Sequence, residues 1–160
     1  MDAILLEIPD IKGQTLIKDH EDKIEILSFS HGVAMQVVGN PSNTERTAGR
    51  PNHQDLTITK YVDLATCPIL SACNAATNLK TVTLTVGRND AGVVLPYLVY
   101  TMENAIVSSV SHSGGSGDRV VETLTLNYTK IKWDYTEQKT DVGKKGNNGA
   151  VWDLAKNVAA

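Results

Sequence analysis

Between residues 79 and 86, apolar Val82, Leu84 and Val86 alternate with Thr81, Thr83 and Thr85. Side chains on an extended chain point to opposite faces in turn, so this period of two predicts a strand with one buried face. β-Branched density and alternation recur over residues 3–8, 23–33, 55–62, 93–102, 105–111 and 120–135, which makes seven candidate strands. The 16 Val, 10 Ile and 16 Thr supply 42 of 160 residues, and their stiff χ1 angles suit a pleated surface better than a helix. A mainly β fold is therefore expected. In the last run the apolar parity switches: Leu124, Leu126 and Tyr128 share one face, whereas Ile131, Trp133 and Tyr135 share the other. A switch near Thr129 and Lys130 implies a bulge, or a strand long enough to leave one environment for a second.

One segment breaks the strand pattern. Over residues 66–76, Thr66 is placed to cap, Pro68 sits in the first turn where its missing N–H does no harm, and Ile69, Ala72, Cys73 and Ala76 recur at helical spacing. One short amphipathic helix is expected there. Asn89-Asp90-Ala91-Gly92 reads as a hairpin turn, and Gly114-Gly115-Ser116-Gly117-Asp118 as a structural turn joining two strong strands. Residues 39–53, with Pro41, Glu45, Arg46, Arg50 and Pro51, and residues 137–149, rich in Lys, Gly and Asn, read as long irregular loops. Loops of that length in a strand-rich domain are usually functional or disordered. No repeat or composition shift divides the chain, so residues 1–160 are expected to form one domain.

Charge narrows the partners. Fifteen basic against 18 acidic side chains give a formal net charge of -3, and the longest run of adjacent cations is Lys144-Lys145. A nucleic-acid coat needs a basic face for counterion release, so nucleic acid is excluded as a partner. The longest uncharged apolar stretch, residues 91–102, contains Pro96 and is too short to cross a bilayer as a helix, and the first residues lack the basic start of a secretion signal. Synthesis in the cytoplasm is expected. Cys67 and Cys73 are six residues apart and form no paired Cys-x-x-Cys, which leaves reduced, mostly buried thiols rather than a disulfide framework or a zinc site.

Candidate chemistry is thin. His20-Glu21-Asp22-Lys23-Ile24 begins like a zinc-protease motif, but Ile24 stands where the second His is needed, and the segment leads into a strand. His20, His31, His53 and His112 have no mutual spacing that builds a site. Gly114, Gly115 and Gly117 are followed by neither Lys-Ser/Thr nor a helix start, so they do not cradle a phosphate. Ser116 lacks the complete Gly-x-Ser-x-Gly elbow, and Asn127-Tyr128-Thr129, a formal glycosylation acceptor, reads as strand residues. No catalytic, metal-binding or cofactor-binding residue is assigned. A well-built core with two conspicuous loops points to binding or assembly rather than catalysis.

Several segments, in order and spacing, carry a resemblance. They are Ile24-Glu25-Ile26-Leu27-Ser28-Phe29-Ser30 with Gly32; Lys60-Tyr61-Val62-Asp63; Val107-Ser108-Ser109-Val110-Ser111 with Gly114-Gly115-Ser116-Gly117; and Glu122-Thr123-Leu124-Thr125-Leu126-Asn127-Tyr128. Trp133-Asp134-Tyr135 with Gln138, and Trp152-Asp153 with Asn157, complete them. Over essentially its whole length the chain resembles the Hcp family, the hemolysin-coregulated tube proteins of the bacterial type VI secretion system. Two positions depart from the family pattern: His31, where a second aromatic residue is usual, and Val151, where Gly is usual. Residues 39–53 match poorly.

The resemblance implies an antiparallel β-barrel of two sheets with one short flanking α-helix, similar to phage tail-tube proteins. It also implies six-membered rings that stack head to tail into a hollow tube. A contractile sheath would drive that tube out of the cell, with a spike protein at its tip and small effector proteins in its lumen. Export through the machine would account for the missing signal peptide. The final strands and the helix region are expected to supply the ring interface, and Glu45, Arg46 and Arg50 the stacking contact. A monomeric β-barrel binding carbohydrate or lipid is the alternative.

Overall fold

The computed structural model describes residues 2–39, 46–138 and 144–159. Six strands, β1 (Asp2–Glu7), β2 (Ile24–Glu25), β7 (Thr81–Asp90), β8 (Val93–Glu103), β11 (Lys130–Gln138) and β12 (Lys144–Asp153), form one antiparallel sheet in the order β12-β11-β8-β7-β1-β2. Four more, β3 (Ser28–Ser30), β6 (Leu56–Tyr61), β9 (Ile106–Ser113) and β10 (Val121–Asn127), form a second in the order β3-β6-β10-β9. A separate two-stranded hairpin joins β4 (Val33–Gly39) to β5 (Arg46–His53). The helix, α1, covers Thr66–Asn74.

Alternation places the core as expected. Val82 and Leu84 turn inward on β7, Leu56 and Ile58 on β6, and Leu124 and Leu126 on β10; all are essentially inaccessible to water and belong to one cluster with Leu6, Ile24, Met102 and Ile131. Each such side chain contributes roughly 1.5–3 kcal/mol by leaving water. The expected barrel is realised as two open sheets meeting across this core, not as one ladder closed by hydrogen bonds. The chain passes between them at corners. Ile26 N–H donates to Ile4 of the larger sheet at 2.9 Å, and the next amide, Leu27, donates to Thr59 of the smaller at 2.8 Å. Thr129 forms a second corner: its N–H donates to the Glu103 carbonyl at 3.1 Å, and its own carbonyl accepts from Leu154 at 2.8 Å.

Several expectations change. The run 23–33 is not one strand; it contributes β2 to one sheet, β3 to the other and the start of β4 to the hairpin. Residues 39–53 are not an irregular loop in their described part, because β5 pairs with β4 from Arg46 opposite Gly39 to His53 opposite Val33. Polar residues and Pro51 hid this strand; a two-stranded ribbon with no third neighbour has an outer edge where the missing proline N–H breaks no ladder. Residues 144–149, assigned to the second irregular stretch, belong to β12 and pair with β11. The parity switch at Thr129 and Lys130 is the passage from the smaller sheet to the larger, and a register shift at Thr125/Leu126 adds a bulge just before it.

The helix starts differently too. Ala65, not Thr66, occupies the cap position and makes no side-chain cap bond; Asp63, two residues upstream, accepts from the Ala65 N–H through Oδ1 at 2.9 Å. Thr66, Ile69 and Ala72 face the core, whereas Cys67 and Ala76 are exposed and Cys73 is half-buried. The expectation of mostly buried thiols fails for Cys67 because it sits one residue off the apolar stripe. The turn at residues 89–92 is as read: Asp90 pairs with Val93 across Ala91 (φ 50°) and Gly92 (φ 83°), the two positive φ angles of a tight hairpin.

Candidate assembly surface

The root of α1 is built on buried charge. Lys60 and Glu122 are direct cross-strand partners on β6 and β10, and both side chains are completely buried. Lys60 Nζ donates to Glu122 Oε2 at 2.9 Å, to Asp63 Oδ1 at 2.9 Å and to the Tyr61 carbonyl at 3.2 Å. The Thr66 hydroxyl donates to Glu122 Oε2 at 2.8 Å and accepts from Asp63 N–H at 3.0 Å. This network fixes where the helix leaves β6, and its charges are satisfied internally except at Glu122 Oε1, which has no hydrogen-bond partner among the described residues. It is a structural cluster, and Asp63 among its members lines a neighbouring cavity.

Beside it lies a cavity of about 250 Å³ whose walls include Thr15, Glu25, Leu27, Tyr61, Asp63 and Arg119. The Arg119 guanidinium lies 4.0 Å over the Tyr61 ring, and Thr15 Oγ1 donates to Glu25 Oε1 at 2.8 Å. Exposed Leu27, Val62, Leu64 and Val120 stand at or next in chain to these wall residues. The result is a hollow with largely polar walls.

The β4–β5 hairpin pairs with neither main sheet. Val33, Met35 and Val37 fall on one face of β4, and each is about half exposed, at 49%, 47% and 49%. Three exposed large apolar side chains in a row on a ribbon are a feature that self-association would bury. Arg50 is exposed and donates from Nη2 to the Leu154 carbonyl at 3.2 Å, tying the hairpin to the segment after β12. Of the residues expected at the stacking contact, Arg46 enters β5 opposite Gly39, whereas Glu45 lies outside the described residues.

At the base of the hairpin, His31 and His53 converge on Tyr128. The phenol Oη is 2.5 Å from His31 Nε2 and 3.1 Å from His53 Nδ1. His53 stacks on Trp133 at 6.0 Å and 26°, and His31 packs edge-on to Tyr100 at 5.6 Å. His31 thus packs among the rings of Tyr100, Tyr128, Trp133 and His53. Burial lowers the pKa of both imidazoles, with the His53 charge adding to the effect on His31, and burial raises that of Tyr128. Sequence spacing hid this cluster: residues 31 and 53 become neighbours only when β4 and β5 pair in register. The other two histidines stay apart, His20 beside Lys23 Nζ at 3.1 Å and His112 at 3.9 Å from Glu122 Oε2.

Of the glycine turn, Gly117 alone has a positive φ, 98°, with open space around its Cβ position; Gly115 meets nothing and Gly114 would touch Val120. Among the described residues no group of three or more His, Cys, Asp or Glu converges as metal ligands would. No described helix is long and apolar enough to cross a membrane.

Two antiparallel sheets around one core and a detached hairpin with an apolar face define a β-sheet assembly module. Residues 5–135 match the family described as "Type VI secretion system effector, Hcp". Protein hcp1 of Pseudomonas aeruginosa is 34% identical over 161 residues, covering 98% of each chain. Among solved structures, one titled "Structure of a type six secretion system protein" superposes with a TM-score of 0.93 at 24% identity, covering all of both chains. The tube-terminating cap of the anti-feeding prophage shares the fold more distantly, with a TM-score of 0.55 at 14% identity over 80% of this chain and 85% of its own. The chain belongs to the Hcp family of the type VI secretion system, and it is a structural, secreted component of that system's tube.

Proposed function

We propose that the protein is a single-domain subunit of six-membered rings that stack head to tail into the inner tube and carry small effector proteins in the lumen. Rings require a heterologous contact, one face of the subunit meeting a different face of its neighbour. The outer edges of β9 and β12, with α1 packed beside β9, are the surfaces that fit this role. The observation that carries the reading is the β4–β5 hairpin, which belongs to neither sheet and presents Val33, Met35 and Val37 to solvent. Placed against the next ring, with Glu45, Arg46 and Arg50 setting register, its apolar face would be covered.

In this reading the spike protein and the contractile sheath are partners, the subunit is made in the bacterial cytoplasm, and it leaves through the machine. It needs no catalytic group, metal or cofactor. Size-exclusion chromatography with light scattering tests it: a ring has about six times the 17.3 kDa subunit mass. A species near one subunit mass would instead favour a monomeric ligand-binding module.

A further inference from the structure

The cluster of His31, Tyr128 and His53 sits where the hairpin is joined to the body. His31 precedes β4 by two residues and His53 ends β5, with Gln54 N–H donating to the Gly32 carbonyl at 2.9 Å between them. Tyr128 is buried and follows β10, so it belongs to the body rather than the hairpin. Both strands of the hairpin are therefore fastened to one phenol oxygen. We propose that His31, Tyr128 and His53 form a proton-operated latch that holds the β4–β5 hairpin against the body near neutral pH and releases it on acidification.

Donor and acceptor capacity sets the mechanism. A phenol has one proton to donate and accepts through its oxygen, and a neutral imidazole presents either N–H or a lone pair at a given nitrogen. With both histidines neutral, Tyr128 donates to one and accepts from the N–H of the other, so both bonds are made. One proton leaves this pattern intact, because an imidazolium N–H replaces a neutral one. A second proton turns both histidines into donors aimed at the same oxygen. The phenol proton must then leave the imidazoles, and the nearest acceptor is the Gln54 carbonyl at 3.4 Å, a long contact. Two cations also face each other with ring centroids 6.4 Å apart.

The surroundings do not compensate a second charge. His31 faces Tyr100 of β8, Trp133 of β11, Tyr128 and His53; His53 faces Tyr128, Trp133 and His31. Both tyrosines are pushed up by burial and stay neutral. The nearest carboxylate in sequence, Asp55, acts on Tyr128 but accepts from Ser108 and Asn127 rather than from either imidazole. The Trp133 face can host one imidazolium by cation–π attraction, not two. Burial also lowers both histidine pKa values, which places the second protonation on the acid side of neutrality.

Hydrogen exchange read by mass spectrometry on the full-length protein, at about pH 7.5 and about pH 5 with correction for intrinsic exchange, measures hairpin opening directly. Protection at the hairpin base is expected to fall at least about tenfold at the acid value, while β7 and β8 hold theirs. In Tyr128→Phe the hairpin should be loose at both values, with no step between them. In His31→Phe the ring packing remains and the step should shrink, because one imidazole alone can no longer compete for the phenol. Equal wild-type protection at both values overturns the latch, as does an undiminished step in His31→Phe. If Tyr128→Phe fails to fold, His31→Phe decides by itself. Exchange on unstacked subunits reports the hairpin alone, so its outcome is separate from that of the stacking reading.

Discussion

Lys60 and Glu122 stand directly opposite each other on β6 and β10 with Nζ 2.9 Å from Oε2, and neither side chain reaches solvent. Removing Lys60 leaves the buried Glu122 charge uncompensated, at a cost of about 3–5 kcal/mol, whereas removing Glu122 leaves Lys60 paired with Asp63 at 2.9 Å; replacing both by apolar residues of similar size is often neutral or stabilising. Lys60→Met should therefore unfold far more easily than wild type, and Glu122→Leu should lose less because Asp63 still faces Lys60. The double variant should recover most of the loss. Chemical denaturation of the four proteins measures this; a double variant no better than the worse single one would show that Asp63 and Thr66 depend on the pair for their own geometry.

The hairpin prediction separates folding from assembly. Arg50 is exposed, and an exposed charge contributes under about 0.5 kcal/mol to stability, so Arg50→Ala combined with Glu45→Ala and Arg46→Ala is expected to melt close to wild type. The same holds for Met35→Ser, since Met35 is already 47% exposed. Both variants should form rings and fail to form tubes by electron microscopy. Tubes of unchanged length would remove the hairpin from the ring-to-ring contact, and loss of rings would place it at the subunit interface.

Glycine substitutions should sort by geometry. A Cβ on Gly13 would lie 2.3 Å from the Lys23 carbonyl oxygen, a backbone atom that cannot step aside. Gly13→Ala should cost about 1–3 kcal/mol or more, as overpacking usually does. Gly117→Val, at φ 98°, should cost roughly 1 kcal/mol or more through backbone strain. Gly115→Ala, with nothing within 4 Å of its Cβ, should be nearly neutral. Thermal melts that ranked Gly115→Ala with Gly13→Ala would contradict the described turn.

Stability should fall on mild acidification. Burial places His31 and His53 below the ordinary value of 6.5 in the folded state. Between that value and the lower folded one, the unfolded chain binds more protons, so stability declines as pH drops through the window and levels off below it. His31→Phe with His53→Phe should flatten the melting temperature between about pH 7 and about pH 5, relative to wild type. His20, also lowered by burial, is common to both proteins and drops out of the comparison. An identical slope in the two proteins would assign the acid sensitivity elsewhere.

Alternation and β-branched density were enough to locate the core strands, the tight turn at residues 89–92 and helix α1, because each is set by neighbours within a few positions. Order and spacing of short segments pointed to the family as well. The hairpin strand Arg46–His53 was not legible: Arg, Gly, Pro and Asn carry little strand preference, and the segment is a strand only because β4 lies beside it. The same is true of the Lys144–Gly149 part of β12 beside β11. Nothing in the local sequence announces that Lys60 and Glu122 will share a dry interior. Nor could spacing join His31, His53 and Tyr128, which lie up to 97 positions apart. Local pattern thus determined which segments are extended and which faces are apolar, while the register between strands decided which polar groups meet. That register is a property of long-range pairing, where a shift of one residue turns every side chain to the opposite face.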